Sequence, residues 1–346
     1  MLFKQVLLQT IIRLDGNRSV AAIYHLITGR TSIQTKQDAH LFNLTSFYGI
    51  YQSLDKRDFD REIRNLQKDQ YILIETGERL FPIATRKAVQ LVDENPVDLL
   101  ACLKGSDYGK AAHLFMEKLL LFIQTIANIN GGNNSFVAVV DDRAIQNWIR
   151  QYFRSIRGSE QNVLKSIQFE LTKVLKSFTD SQAQIFIDRL SGLNHYGMGL
   201  EQLAGKHGMN VNDVYLLLAA MQHKIMDIIL NKPQDYLVLS SFVQFKEHKA
   251  LAESAAITKR MLDQGMDSDS IANLRSLKQN TIQDHIVEIA LHDPLFDISP
   301  YLPKHVEEEI KKAMNDTKSG KLKDIRQALP EGRDYFQIRL ALARWN

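Results

Sequence analysis

Residues 268–293 read SDSIANLRSLKQNTIQDHIVEIALHD. The run parses as a helix, a tight turn and a second helix that opens on Lys278, Gln279 and Asn280. Such a unit can present the start of its second helix to a nucleic acid, or it can serve only as scaffold.

A second stretch repeats its spacing. In LEQLAGKHGMNVNDVYLLL, Ala204, Gly208 and Val214 stand at intervals of four and six. Ala272, Ser276 and Ile282 stand at the same intervals. The small residue lets two helices cross closely, the turn residue favours a left-handed backbone, and the branched residue plugs the core. Leu203 and Ile271 match as apolar companions, as do Met209 and Leu277. Ser276 stands where Gly would suit the turn better, at a cost of about 1 kcal/mol.

The first ninety residues predict a different unit. Leu2, Val6, Ile11 and Leu14 space an amphipathic helix, and SVAAIYHLI continues helical periodicity. In LDKRDFDREIRNLQKDQ, Phe59, Ile63 and Leu66 form one buried stripe. YILIETGERLFPIA follows with a hairpin signal around Thr76, Gly77 and Glu78. A helix followed by a hairpin is the order of a recognition helix and its wing.

These elements predict a mostly α-helical chain of several domains: a winged-helix-like unit over 1–92, a helical domain over 93–240 with a helix-turn-helix-like unit near 199–218, and a C-terminal helix-turn-helix module over 250–346. At 346 residues, more than one core is expected. NGGNN at 130–134 marks a loop, and SFVAVV after it reads as a short extended segment.

Net charge is +3, too mild to imply nucleic acid by itself. Residues 252–346 carry 14 Lys and Arg against 15 Asp and Glu, so this module should bind DNA weakly alone. The only cysteine, Cys102, excludes an internal disulfide and a zinc-cysteine site, and it reads as a small buried apolar residue. No secretion signal is evident, and LLLFIQTIANI is too short and polar to span a bilayer. A cytoplasmic protein is expected, with nucleoid association compatible.

Eight residues are candidate DNA contacts. Lys278, Gln279, Asn280 and Gln283 would sit on the exposed start of the C-terminal second helix, where Gln and Asn suit adenine and Lys suits phosphate or guanine. The neighbouring acid Asp284 would oppose phosphate, and a solvated protein-docking helix is the competing reading. Arg57, Arg61, Arg64 and Lys68 form one stripe opposite Phe59, Ile63 and Leu66 at about 100° per residue. The competing reading is a solvated face stitched by Asp60–Arg64 and Asp58–Arg61 pairs. KKAMNDTKSGKLKDIR adds six Lys and Arg against two Asp. The middle unit would present Asn210, Val211, Asn212, Tyr215 and Leu216, a set that suits burial better than a groove.

Enzymatic signatures are missing. No Gly-rich loop ends in Lys-Ser or Lys-Thr, and no helix carries two zinc-spaced histidines. Asp141 and Asp142 read as capping residues. No cofactor, no metal and no catalytic residue are expected.

SAAITKRMLDQGMDSDSIANLRSLKQNTIQDHIVEIALHDP, with the later YFQIRLALA, resembles the helix-turn-helix module at the C-terminal end of some RecQ-family DNA helicases. Ser254, Thr258, Gly265, Ile271, Ala272, Leu277, Thr281, Ile282 and His285 carry that resemblance. The whole layout, with RLSGLNHYGMGLEQLAGKHGMNVNDVYLLL in its middle, is similar to the YpbB-like proteins of Gram-positive bacteria. The resemblance implies a chain without a motor that partners a RecQ-type helicase in DNA repair or recombination. A transcription regulator and a pure protein-interaction adaptor remain the alternatives.

Overall fold

The computed structural model describes residues 1–75, 80–243, 251–317, 320–331 and 333–344. Helices α1 (Leu2–Leu14), α2 (Val20–Thr28), α3 (Ile33–Leu41) and α4 (Lys56–Lys68) come first. Strands β1 (Ile72–Glu75) and β2 (Phe81–Ala84) follow, then α5 (Arg86–Glu94). The middle holds α6 (Gly105–Asn130), α7 (Arg143–Ser155), α8 (Glu160–Leu175), α9 (Asp180–Asp188), α10 (Leu200–His207), α11 (Val211–Asn231) and α12 (Leu237–Phe242). The last third holds α13 (Glu253–Asp263), α14 (Ser268–Leu274), α15 (Gln279–His292), α16 (Lys304–Thr317), α17 (Leu322–Gln327) and α18 (Tyr335–Arg344). The chain is mostly helical and multi-domain.

Two compact units are present, and they do not follow chain order. One comprises Met1–Gln5, Val97–Lys104 and Tyr108–Phe245; the other comprises Val6–Pro96, Gly105–Asp107 and Lys246–Asn346. The winged-helix-like residues and the C-terminal module therefore share a unit.

In that shared unit, the amphipathic spacing of α1 buries Val6, Ile11 and Leu14, and α4 buries Phe59, Ile63 and Leu66. Asp55 starts α4 by accepting the Arg57 backbone N–H at 2.7 Å. The two strands pair antiparallel, Ile72 opposite Ala84 and Glu75 opposite Phe81. The Val20 N–H donates to the Leu80 carbonyl at 2.9 Å, tying the start of α2 to the hairpin. The turn expected at Thr76, Gly77 and Glu78 lies outside the described residues. Gly29, at φ +72°, crosses Gly49 so closely that a Cβ on it would lie 2.7 Å from the Gly49 Cα, so neither strain nor space admits a side chain.

Helix α3 has no apolar stripe, yet Thr35, Gln37, Asp38 and Ala39 are buried. Its surroundings explain this. Ile33 and Leu41 pack against the C-terminal core of Ile282, Ile286, Ile310 and Ile338. Lys36 pairs with Glu288 of α15 at 2.6 Å. Gln37 donates to the Arg339 carbonyl at 2.8 Å and accepts from its Nε at 3.0 Å. Asp38 accepts from Arg18 at 2.7 Å, and the same guanidinium reaches the Gly320 carbonyl at 3.0 Å. Gln37 and Asp38 are satisfied from distant segments and the Thr35 hydroxyl by Ser32 at 2.7 Å, which is what makes their burial tolerable.

In the other unit, α11 is buried along most of its length, with Val214, Leu216, Met221, Ile225 and Ile229 at its centre. Glu170 of α8 is buried and accepts the Val238 and Leu239 N–H groups at 3.1 and 2.9 Å, capping α12 across sequence. Phe122, Trp148, Tyr152 and Phe242 form an aromatic cluster, with the buried Lys118 ammonium over the Trp148 ring at 4.5 Å. Asp142 caps α7 as expected, accepting the Ile145 N–H at 2.9 Å. Burial pushes the Asp188 carboxyl up, but hydrogen bonds from Lys206, His207 and Gln184 outweigh it and hold it at about 2. Cys102 is half-buried rather than buried, and burial pushes its thiol up. No helix of the described residues is long and apolar enough to cross a membrane.

Candidate nucleic-acid interface

The quoted stretch folds as its spacing requires. Asp267 caps α14 by accepting the Ser270 N–H at 2.8 Å, which holds its carboxyl below the usual range. Ile271 and Ile282 are fully buried and Ala272 nearly so. The Leu277 N–H closes the turn onto the Ala272 carbonyl at 2.9 Å, with Ser276 at φ 52°. The α10–α11 turn is built alike: Met209 N–H to Ala204 carbonyl at 2.9 Å, Gly208 at φ 63°, Leu203 and Val214 fully buried. Because Ser276 is an exposed non-glycine in the left-handed region, Ser276→Gly should raise stability by about 0.5–1 kcal/mol. Urea denaturation reads this, and a destabilised variant would contradict the strain.

Three residues of the module's sequence pattern meet Arg275 in one polar clamp. Arg275 donates to the Ser254 carbonyl at 2.8 Å, to the Ser254 hydroxyl at 2.9 Å and to the Thr258 hydroxyl. The Thr258 proton is thereby free to donate to His285 Nδ1 at 2.8 Å. Burial, then Arg275, pushes the His285 imidazole down, consistent with a neutral ring accepting at Nδ1. The clamp joins α13, the turn and α15. Sequence reading found Ser254, Thr258 and His285 as pattern residues but missed Arg275, whose role depends on the turn geometry.

The face of α15 open to solvent is short. Lys278 and Asn280 are exposed, as expected. Gln279 and Gln283 are only half-buried, which corrects the expected four-residue exposed set. Gln279 turns back: its Nε2 donates to the Ser268 hydroxyl at 3.1 Å, and its Oε1 is buried without a partner. Asp284 is not a free exposed acid either, since Arg339 of α18 pairs with it at 2.6 Å. Beyond Asp284, every residue from His285 to Ala290 is buried, because α3, α13 and α18 surround the helix. A helix lying in a major groove presents one face over two or more turns; α15 has its first turn.

The α4 stripe is open throughout. Arg57, Arg61, Arg64 and Lys68 are all exposed, opposite Phe59, Ile63 and Leu66. Arg61 pairs with Asp58 at 2.7 Å, as anticipated for a solvated face. The anticipated Asp60–Arg64 pair is replaced by Lys56–Asp60. Arg57 lies 3.5 Å from Asp55 with its side chain 92% exposed. Arg64 and Lys68 make no ion pair among the described residues. Part of the second basic run, Lys318 and Ser319, lies outside the described residues. Lys321 beside it stands over the Phe81 ring of β2 at 4.9 Å.

Residues 254–342 match the family described as a helix-turn-helix domain. This helix-turn-helix domain covers α13 to α18 and includes the clamp. Over nearly its whole length, the chain is 29% identical to protein YpbB of Bacillus subtilis (strain 168), across 345 residues that make up 99% of this chain and 97% of that protein. No solved structure matches.

Unlike the helix-turn-helix domain, the middle unit offers no open helix start. Asn212 and Leu216 are buried, Val211 and Tyr215 half-buried, and only Asn210 is exposed, capping α11 by accepting the Asn212 N–H at 2.9 Å. Among the described residues, no group of three or more His, Cys, Asp or Glu is placed to hold a metal ion.

Proposed function

We propose that this chain is a non-enzymatic accessory protein that binds DNA weakly and associates with a RecQ-type helicase in repair or recombination. The observation that carries the DNA part is the α4 stripe. Four exposed cations share one face of a helix whose other face is buried, in a unit with a hairpin behind it. Such a row tracks phosphates without reading sequence. Lys278 and Asn280, at the open first turn of α15, add a small second contact. The helicase association rests on the resemblance of the module and of the full layout. It also explains why a chain without a phosphate-binding loop would carry helix-turn-helix units. Joining two weak DNA surfaces in one complex raises the local DNA concentration for both.

The covered body of α15 weighs against a stand-alone operator reader, which needs base contacts along an exposed recognition helix. It favours a helix-turn-helix used mainly as scaffold.

The test is a salt titration. Arg61→Ala with Arg64→Ala should weaken binding to every duplex sequence alike and reduce the slope of log K against log salt by about one to two units. Both positions are exposed, so each change should alter stability by less than about 0.5 kcal/mol. Unchanged affinity and slope would assign the stripe to solvent. Purification at native abundance checks the second part: a co-purifying RecQ-type helicase supports the adaptor, and its absence removes that part alone.

A further inference from the structure

After α6, the segment Asn133–Val140 leaves helical structure, with no turn over Asn133–Ala138 and a bend at Val139. Helix α6 holds it there with a side chain. The buried Gln124 amide donates from Nε2 to the Val137 carbonyl at 3.0 Å and accepts the Val139 N–H through Oε1 at 2.8 Å. A carbonyl at one residue and an N–H two residues on lie on the same side of an extended chain. Gln124 thus takes the place of a neighbouring strand. Other bonds hold the segment on either side: Asn133 N–H to the Asn128 carbonyl at 2.9 Å, and Gln146 Nε2 to the Val140 carbonyl at 3.0 Å.

The opposite side of the segment is unpaired. Backbone groups of Phe136 and Ala138 point away from Gln124 by the alternation of an extended chain, and among the described residues they make no hydrogen bond. Side chains alternate as a strand's do: Phe136 and Ala138 are half-buried, and Val137 is 91% exposed. Proteins usually blunt such an edge with a charge, a proline or a cover. NNSFVAVV contains neither charge nor proline.

We propose that this edge is a self-association site, where Phe136–Ala138 pairs antiparallel with the same three residues of a second copy. The backbone positions favour that occupant. The open groups belong to Phe136 and Ala138, which flank Val137 symmetrically. A two-fold axis through Val137 sets Phe136 of each copy opposite Ala138 of the other. Each pair exchanges two N–H to carbonyl bonds, and the two exposed valines meet on the axis. The uncharged sequence opposes no like charges. A single strand pair buries far less than the ~1,200 Å² of a stable interface, so the association is weak and concentration-dependent.

Analytical ultracentrifugation of the full chain, from low micromolar to several hundred micromolar, tests this without DNA or helicase, so its failure leaves the proposed function standing. The wild type should pass from monomer toward dimer. Ala138→Pro removes one open N–H and places the ring on the edge, while Val137 and Val139 keep their bonds to Gln124. It should weaken dimerisation at least tenfold with unchanged circular dichroism. Val137→Lys places two cations on the axis and should do the same, which covers the case in which the proline variant misfolds. Amide exchange at Phe136 and Ala138 should slow as concentration rises. A wild type that stays monomeric throughout, or variants that dimerise like it, overturns the proposal; so does an edge protected only when a strand of another protein is added.

Discussion

Lowering the pH from 7 to 4 should cost the protein about 3 kcal/mol of stability through one histidine, His223. This imidazole is buried in α11, accepts the Lys104 N–H at Nδ1 at 3.0 Å, and stacks edge-on against Tyr108. Burial pushes it down to about 4, against the attraction of Asp227 and with the help of Lys104. A base whose folded value lies below its unfolded value of about 6.5 is bound by more protons in the unfolded chain between those limits. Its contribution is therefore complete above about pH 6.5 and is lost as pH falls toward 4. His25, His40, His285 and His292 are also pushed down by burial and act in the same window. His223→Asn keeps an acceptor near Nδ1 but cannot take up a proton. Urea denaturation at stepped pH should show the variant losing less stability than the wild type between pH 6.5 and 4, by about 3 kcal/mol. Parallel curves would show that His223 titrates normally.

Glu288→Ala should be the most damaging single change among the surface-to-core charges, at about 3 kcal/mol. The carboxylate is buried, accepts Lys36 at 2.6 Å and also takes the Ala252 N–H at 2.9 Å. Burial alone would raise it, yet Lys36 and the Ala252 N–H hold it below the usual carboxylate range. Truncation leaves a mostly buried ammonium and a backbone donor without their acceptor, which is the expensive way to break a pair. Glu288→Gln retains an acceptor for Ala252 and should cost about half as much. Because Lys36 lies on α3 and Ala252 just before α13, the alanine variant should also expose the α3 region to protease sooner. A Glu288→Ala stability within about 0.5 kcal/mol of wild type would mean that the pair is solvated and contributes little.

Much of this was legible in the residues. Period-3.6 spacing placed the buried stripes of α1 and α4, because burial along a helix repeats with the turn of the backbone. The four-and-six spacing located both helix-turn-helix turns, including the left-handed Ser276, because helix crossing and chain reversal there depend on residues within ten positions. The exposed face of α4 followed from the same local geometry. The break in helix after the Gly/Asn cluster at 130–134 was legible too, since Gly and Asn favour turns over helix.

What escaped the sequence lies where partners are far apart along the chain. Polar α3 gives no sign of burial, since the groups that satisfy Lys36, Gln37 and Asp38 include Glu288, Arg339 and Arg18. Gln279 looked like a reader of bases, and only the packing of α14 on α15 turned its amide toward Ser268. Local periodicity determined which face of each helix is apolar, and with it the mostly helical fold and the two turns. Only the tertiary structure decided that the first and last thirds of the chain share a unit and that α3 and α18 cover α15. Burying a polar helix requires complementary groups that come together only when the whole unit is assembled.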